Sequence, residues 1–447
     1  MEIVMLICGA IVGSVIASIL ACMPGLHVYN ILGPLIFLIA QYEISLHPYF
    51  IIAVTAGMIA GFCFISPIPS VILAAPDESA FFTVLPGQKY LMAGRGYEAV
   101  LFIVTGSAFA TAGLLIFFFF FAKYLLPLKQ VLQPHYHWIL WCVIAFMLMS
   151  EWPTEGRPGQ GRWDKFVSAN RRLLAGLLTF VLSGLIGFVV MYGKTSRPEL
   201  AFQGPMPVFT GLFTLPWLLV NIIFYVEMPP QKIFETKSAG YLHLPAMSIK
   251  SILYGIFAGL FGGGFSAFFP AITGGVGGLL AGHATALRDD VAFLVSQGAS
   301  RTVYYIGGFF LLFVPDLYMA RGGASHLLKT LYIPQGATDL YVVMTATAIA
   351  SVISLVMFEM LVRGIVRIVV IYGLRFISIV ALVIILFFVL FFSGWDGIIF
   401  CIVSSVVGLI PVFWGARRMN CLGVILLPVA CNMSGFGEQV AVWLGLI

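Results

Sequence analysis

The sequence reads as an all-α polytopic membrane protein with two structural repeats that carry broken helices or re-entrant hairpins. Three features support this. First, 61% of the 447 residues are hydrophobic and only 9% are charged, with a mean hydropathy of +1.06. Soluble domains carry roughly 25% charged residues, so this chain cannot cover a water-facing surface. Second, the apolar residues fall into long runs, many of them near the ~20 residues that cross a bilayer. At that density the chain holds about ten to twelve membrane segments. Third, a glycine and proline pattern recurs in the two halves. A soluble enzyme, a disordered scaffold and a nucleic-acid binder are excluded at this stage. The net charge of +5 comes from 23 scattered basic residues against 18 acidic ones, with no basic patch.

The apolar runs are, in order, 3–23, 28–40, 48–65, 99–122, 135–150, 172–192, 206–226, 249–269, 271–287, 291–315, 338–360, 364–392, 396–415 and 421–444. The start, Met1-Glu2-Ile3, lacks the positive n-region of a cleaved signal peptide, so run 3–23 is expected to stay in the membrane. Runs 28–40 and 271–287 are short enough to be half-helices. The loop 151–172 sets Arg157, Arg162, Lys165, Arg171 and Arg172 against Glu151, Glu155 and Asp164; its basic excess places it in the cytoplasm. Further polar loops are 193–204 and 227–248. Arg363, Arg367, Arg375, Arg417 and Arg418 read as additional cytoplasmic anchors. The seven cysteines all lie in apolar runs without metal-ligand spacing, so they read as buried fillers. The organisation expected is a first membrane repeat over 1–135, connecting helices and the basic loop over 136–246, a second repeat over 247–360, and C-terminal helices over 361–447.

Gly9, Gly13 and Pro24 recur as Gly255, Gly259 and Pro270, each 246 residues later. Gly-xxx-Gly lets helices approach closely, and the proline ends each helix. A second match pairs the serines of 64–70 with those of 294–300. In hydrocarbon, irregular backbone survives only where protein or a wet cavity surrounds it. Half-helix N-termini attract anions, and unwound carbonyls attract cations. Paired breaks therefore point to a secondary transporter with its site at the repeat interface.

Four breaks supply the candidate residues. Pro24, Gly25, His27 and Asn30 form the first; His27 reads either as an interfacial residue or as a substrate or proton group. Ser66 and Ser70 flank Pro67 and Pro69 in the second, followed by Asp77 and Glu78. Those carboxylates are ion-coupling groups if 66–80 is a hairpin, and a surface N-cap if it is not. Thr273, Gly274 and Gly275 follow Pro270 in the third; its glycines line an ion or pack helices tightly. Ser296, Gln297, Ser300 and Arg301 form the fourth. An intramembrane arginine needs a partner. For Arg301 that is an anionic ligand, an internal carboxylate among Asp77, Glu78, Asp289 and Asp290, or the membrane interface. Arg288-Asp289-Asp290 reads as a cap or turn. No HExxH motif, nucleophile elbow, P-loop or metal set is present, so neither catalytic residues nor a metal site nor a cofactor is expected. His135-Tyr136-His137 reads as an interfacial belt.

The stretch from Gly9 to Gly106 is similar to the large membrane subunit of tripartite tricarboxylate transporters. The residues that carry the likeness are Gly9, Gly13, Pro24-Gly25, Pro34 and the run Ser70 to Pro76. Leu85-Pro86-Gly87-Gln88-Lys89 and Ala93-Gly94-Arg95-Gly96 resemble the family's polar linker, and Pro270, Gly274 and Gly275 its second repeat. Asp77 stands where the family has glycine. The divergence resembles that of archaeal members, which often occur without the soluble binding protein. The resemblance implies a permease with inverted repeats that moves a small organic anion such as a di- or tricarboxylate by symport.

The function expected is thus a multi-pass secondary active transporter of the cell membrane, coupled to Na⁺ or H⁺, with Na⁺ as the one candidate bound ion. Expected partners are the lipid bilayer, a small anionic solute, a small membrane subunit and a solute-binding protein, and a homo-oligomer is compatible with the sequence. One rival reading is a polyprenyl-phosphate lipid-carrier translocase, which would bind a lipid phosphate. A second is an intramembrane enzyme.

Overall fold

Backbone amides in an apolar chain must be bonded within the chain, and helices do this segment by segment. The computed structural model describes residues 1–152, 161–193, 205–224, 228–231, 248–285 and 289–447, and its regular elements are all helical. Arg157, Glu155, Arg288 and most of the loops 193–204 and 227–248 lie outside the described residues.

In chain order the first helices are α1 (Glu2–Leu20), α2 (Val28–Gln41), α3 (Pro48–Ile65), α4 (Pro67–Ile72), α5 (Val84–Met92) and α6 (Gly96–Phe121). Next come α7 (Leu125–Leu132), α8 (Tyr136–Met149), α9 (Arg162–Tyr192), α10 (Pro205–Phe209) and α11 (Leu215–Ile223). The second half holds α12 (Ile249–Phe268), α13 (Gly274–Thr285), α14 (Asp290–Thr302), α15 (Gly308–Phe310), α16 (Gly322–Lys329) and α17 (Ala337–Trp414). The chain closes with α18 (Gly423–Met433) and α19 (Gly437–Trp443). Seven stretches among the described residues are long and apolar enough to cross a bilayer. Two of them, Gly96–Met149 with 54 residues and Ala337–Trp414 with 78, exceed the ~20 residues of one crossing severalfold. Left-handed glycines interrupt the longer run at Gly373 (φ 77°) and Gly394 (φ 66°), and such glycines end right-handed helices. These two runs have room for further crossings, in line with the ten to twelve segments expected.

The chain divides into two units. The first comprises Met1–Lys129 and Val220–Leu382, and the second Gln130–Leu219 and Val383–Ile447.

The first unit contains both repeats. α1 packs along α3, and α12 packs along α14. The glycines explain why: a Cβ on Gly9 or Gly13 would overlap the backbone of Phe50 or Val54, and one on Gly255 or Gly259 that of Ala292 or Ser296. A proline shortly after each first helix is followed by a left-handed residue, Gly25 (φ 77°) after Pro24 and Ala271 (φ 58°) after Pro270. Their 246-residue spacing is that of the glycines. α3 and α14 then start at 48 and 290, each behind an N-cap side chain, His47 or Asp289, that accepts an amide two residues on. The left-handed residues Ala74 (φ 52°) and Asp316 (φ 64°) follow, with the same 242-residue spacing. α6 and α17 open at 96 and 337.

The serine match between 64–70 and 294–300 is not part of this repeat. Ser66–Ser70 sits at the α3–α4 junction, whereas Ser296–Ser300 lies inside α14. The prolines at 67 and 69 do not break the span either. Ser66 keeps helical dihedrals, and Pro67 opens α4, where its missing N–H costs nothing. Ser66 Oγ donates to Phe62 O at 2.6 Å and Ser70 Oγ to Ser66 O at 2.8 Å. The backbone break comes later, at 73–80. Likewise α14 runs through 296–301 and passes into a π-helical turn, Val303–Gly307, before the chain unwinds after Phe310.

The repeats meet where α6 crosses α14. A Cβ on Gly106 would overlap Val295 O, and one on Gly298 would overlap Ile103 O.

In the second unit α9 packs on α18, with Gly184 and Gly187 against Leu427 and Val424. Residues Arg418–Met433 and α19 are bent by 116° at a short break.

The α6–α14 crossing gives a direct test. Gly298→Val should cost at least ~3 kcal/mol, the upper end for overpacking, because the obstruction is backbone. A Cβ added to Gly264 would meet no atom within 4 Å, so Gly264→Ala should be neutral or slightly stabilising. Thermal unfolding in detergent reads both.

Candidate functional site

The unwound segment 73–80 lies inside the first unit rather than at its surface. Side chains hold the carbonyls where the helix gives out: Asn221 Nδ2 donates to Leu73 O at 2.9 Å, and Gln88 Nε2 to Val71 O at 3.0 Å. This is the support irregular backbone needs away from water. The segment presents Asp77, Glu78 and Ser79 to the second repeat.

Arg301 projects from α14 toward them. Its Nη2 donates to Asp77 Oδ2 at 2.6 Å and its Nε to Ser79 Oγ at 2.8 Å. Ser79 Oγ donates its own proton to Asp77 Oδ1 at 2.6 Å, and Ser79 N donates to the same oxygen at 2.9 Å. The guanidinium also lies over the rings of Phe62 (4.7 Å) and Tyr305 (5.6 Å). Arg301 is 3% exposed and Asp77 14%, so each desolvated charge depends on the other.

A second chain of bonds runs beside the first. His27 caps α2: its Nδ1 accepts from Tyr29 N at 3.2 Å. The ring proton therefore sits on Nε2, 2.8 Å from Tyr305 Oη. Tyr305 in turn donates to Glu78 Oε1 at 3.2 Å, and His27 Nε2 is 3.4 Å from the same oxygen. With His27 neutral, Asp77, Glu78 and Arg301 sum to one negative charge. Arg321 brings a further positive charge close to Tyr304.

The third break brings α13 to the same place. A Cβ on Gly274 would meet Ser79 Cβ and the Tyr304 ring at 2.9 Å. Thr273 Oγ1, Ser300 Oγ, Thr302 Oγ1, Gln297 Oε1 and Arg301 Nη1 are buried polar atoms without a hydrogen-bond partner. Most buried polar atoms in proteins are paired; of these, Arg301 Nη1 belongs to the paired guanidinium and Thr273 adjoins Gly274, whereas Ser300 and Thr302 leave α14 about 100° to either side of Arg301.

Of the residues singled out from sequence, His27, Asp77, Glu78 and Arg301 come together, with Thr273 and Gly274 beside them. Pro24 and Gly25 make the turn that delivers His27. Asn30 is buried in α2 and Gly275 in α13. Ser66 and Ser70 bond their own helix. Ser296 Oγ and Gln297 Nε2 tie α14 to α13 through Thr285 Oγ1 (3.2 Å) and Gly278 O (3.0 Å). Asp289 caps α14. Asp290 pairs with Lys89, both partly exposed. Sequence reasoning missed Ser79, Tyr305, Phe62 and Asn221. The first could have been found as the residue completing an Asp-x-Ser turn; the others carry no local signal. Among the described residues no group of three His, Cys, Asp or Glu side chains could hold a metal ion.

Removing one charge should cost more than removing both. Arg301→Gln alone should destabilise by ~3–5 kcal/mol, the penalty for a stranded buried charge. Adding Asp77→Asn should recover a large part of it. Thermal unfolding of the single and double variants measures this, and an equal or greater loss in the double variant would refute the pairing argument.

The comparisons with known proteins agree with this architecture. The tripartite tricarboxylate transporter TctA family matches residues 3–423. An uncharacterized protein of Methanocaldococcus jannaschii is 26% identical over 322 residues, which is 72% of this chain and 72% of that protein. No solved structure matches. With a family match over nearly its whole length and several helices able to cross a bilayer, the chain belongs to the tripartite tricarboxylate transporter TctA family, as a multi-pass membrane component of a transporter.

Proposed function

We propose that the chain is the permease that carries a small organic anion, of the di- or tricarboxylate class, across the cell membrane by symport with Na⁺ or H⁺. The observation that carries the reading is the buried cluster of ionisable groups between the repeats, Arg301 with Asp77 and His27 with Glu78. Asp77 already neutralises Arg301, which leaves the Glu78 charge beside His27. A proton or Na⁺ taken up at Glu78, His27 and Asp77 cancels it. An anion arriving with that cation meets the donors left beside the pair, Arg301 Nη1 and Thr273 Oγ1, and the positive end of α13. Binding either ion then favours the other, which is the thermodynamic content of symport. The small membrane subunit and the solute-binding protein are the partners this reading calls for.

The test is uptake of labelled citrate into proteoliposomes holding the chain and its small membrane subunit, driven by an imposed Na⁺ or pH gradient. Glu78→Gln should reduce gradient-driven accumulation at least about tenfold, within the usual range of linkage between two ligands. Equilibration without a gradient should survive. Accumulation by Glu78→Gln equal to the wild type would remove Glu78 from coupling. Head-group flipping of a polyprenyl phosphate without citrate uptake would favour a lipid-carrier translocase instead.

A further inference from the structure

The requirement that a buried arginine find an anion applies more strongly to Arg418 than to Arg301. Sequence position alone made Arg418 a surface anchor, yet it is 8% exposed. Its Nη2 donates to the carbonyls of Leu212 and Phe213, the former at 3.0 Å, on the π-helical turn Thr210–Thr214. The guanidinium lies 5.9 Å from the centre of the Phe213 ring and 5.5 Å from that of Trp217. Among the described residues its Nε and Nη1 are buried without partners, and so is Trp217 Nε1. Among the described residues no carboxylate lies within ion-pair distance. The nearby buried Glu151 is already engaged, accepting from Arg417 N at 2.8 Å and Asn420 Nδ2 at 2.6 Å.

We propose that Arg418 and Trp217 form an anion site in the second unit, distinct from the site between the repeats, that takes a phosphate oxyanion. Both bidentate edges of a guanidinium use Nη2, which the two carbonyls already occupy, so Nε, Nη1 and the Trp217 N–H remain as single donors, each able to bond one oxygen of an anion. Two backbone carbonyls hold Nη2 and so fix the guanidinium in place. The setting is that of a lipid head-group. Trp152, Trp163 and Trp414 are exposed, as are Arg171, Arg172 and Arg417, and Gly415 lies beside the Arg172 side chain. Exposed tryptophan with arginine marks the membrane–water interface, where an anionic phospholipid presents its phosphate. Free inorganic phosphate offers the same chemistry.

The experiment uses the purified full-length protein in neutral detergent, stripped of lipid. Inorganic phosphate is titrated in one arm and phosphatidylglycerol in the other, with the shift in unfolding temperature and ³¹P NMR as readouts. The expected result is saturable binding that raises Tm in at least one arm; the arm that responds identifies the source. Trp217→Phe keeps an aromatic face and deletes the N–H donor, and should weaken binding several-fold relative to the wild type. Arg418→Gln should abolish binding; if it fails to fold, Trp217→Phe decides. Absence of saturable binding in both arms, or binding by Trp217→Phe equal to the wild type, overturns the proposal.

Discussion

A charge or an amide buried among apolar helices has no water to fall back on, and the molecule is organised around that fact. Where the chain unwinds at 73–80, Asn221 and Gln88 take up the freed carbonyls. Where it carries Arg301 into the core, Asp77 and Ser79 meet it from the other repeat. The Arg301–Asp77 pair is thus a contact between the two repeats. Its geometry also sets what the site can accept, because a paired arginine leaves only its bare Nη1 for a solute.

Arg301 and Arg418 show how the same buried side chain is accommodated in two ways. Arg301 has a carboxylate, a hydroxyl and two aromatic faces. Arg418 has carbonyls and aromatic faces but, among the described residues, no counter-charge. The first arrangement is electrically closed, and the second is open. A cation with no counter-charge in a desolvated pocket is far more costly than one with a partner, which is why the open arrangement calls for a ligand.

Close packing depends on glycine at a few defined points. Gly106 and Gly298 sit where α6 and α14 touch backbone to backbone, and Gly9, Gly13, Gly255 and Gly259 do the same within each repeat. In lipid there is little hydrophobic drive between helices, so such approach supplies much of the association. The crossing of α6 with α14 also fixes the height at which Arg301 emerges, and hence which atoms of the unwound segment it meets.

The membrane class, the helical architecture and the duplication marked by Gly9, Gly13 and Pro24 with their counterparts were all legible in the bare chain. Composition, run length and the backbone limits of glycine and proline act locally, so they can be read without a fold. His27, Asp77, Glu78 and Arg301 stood out in the same way, because ionisable residues are rare in apolar runs and therefore conspicuous. Two breaks were misplaced by such reading. Pro67 sits at a helix start, where proline is tolerated, and the serines of α14 bond within and between helices instead of ending one. Three facts waited on the folded chain: that Arg301 is paired, that Tyr305, 278 residues after His27, bonds both it and Glu78, and that Arg418 is buried. Each depends on which helices lie side by side, and contacts so distant in sequence leave no trace in local pattern.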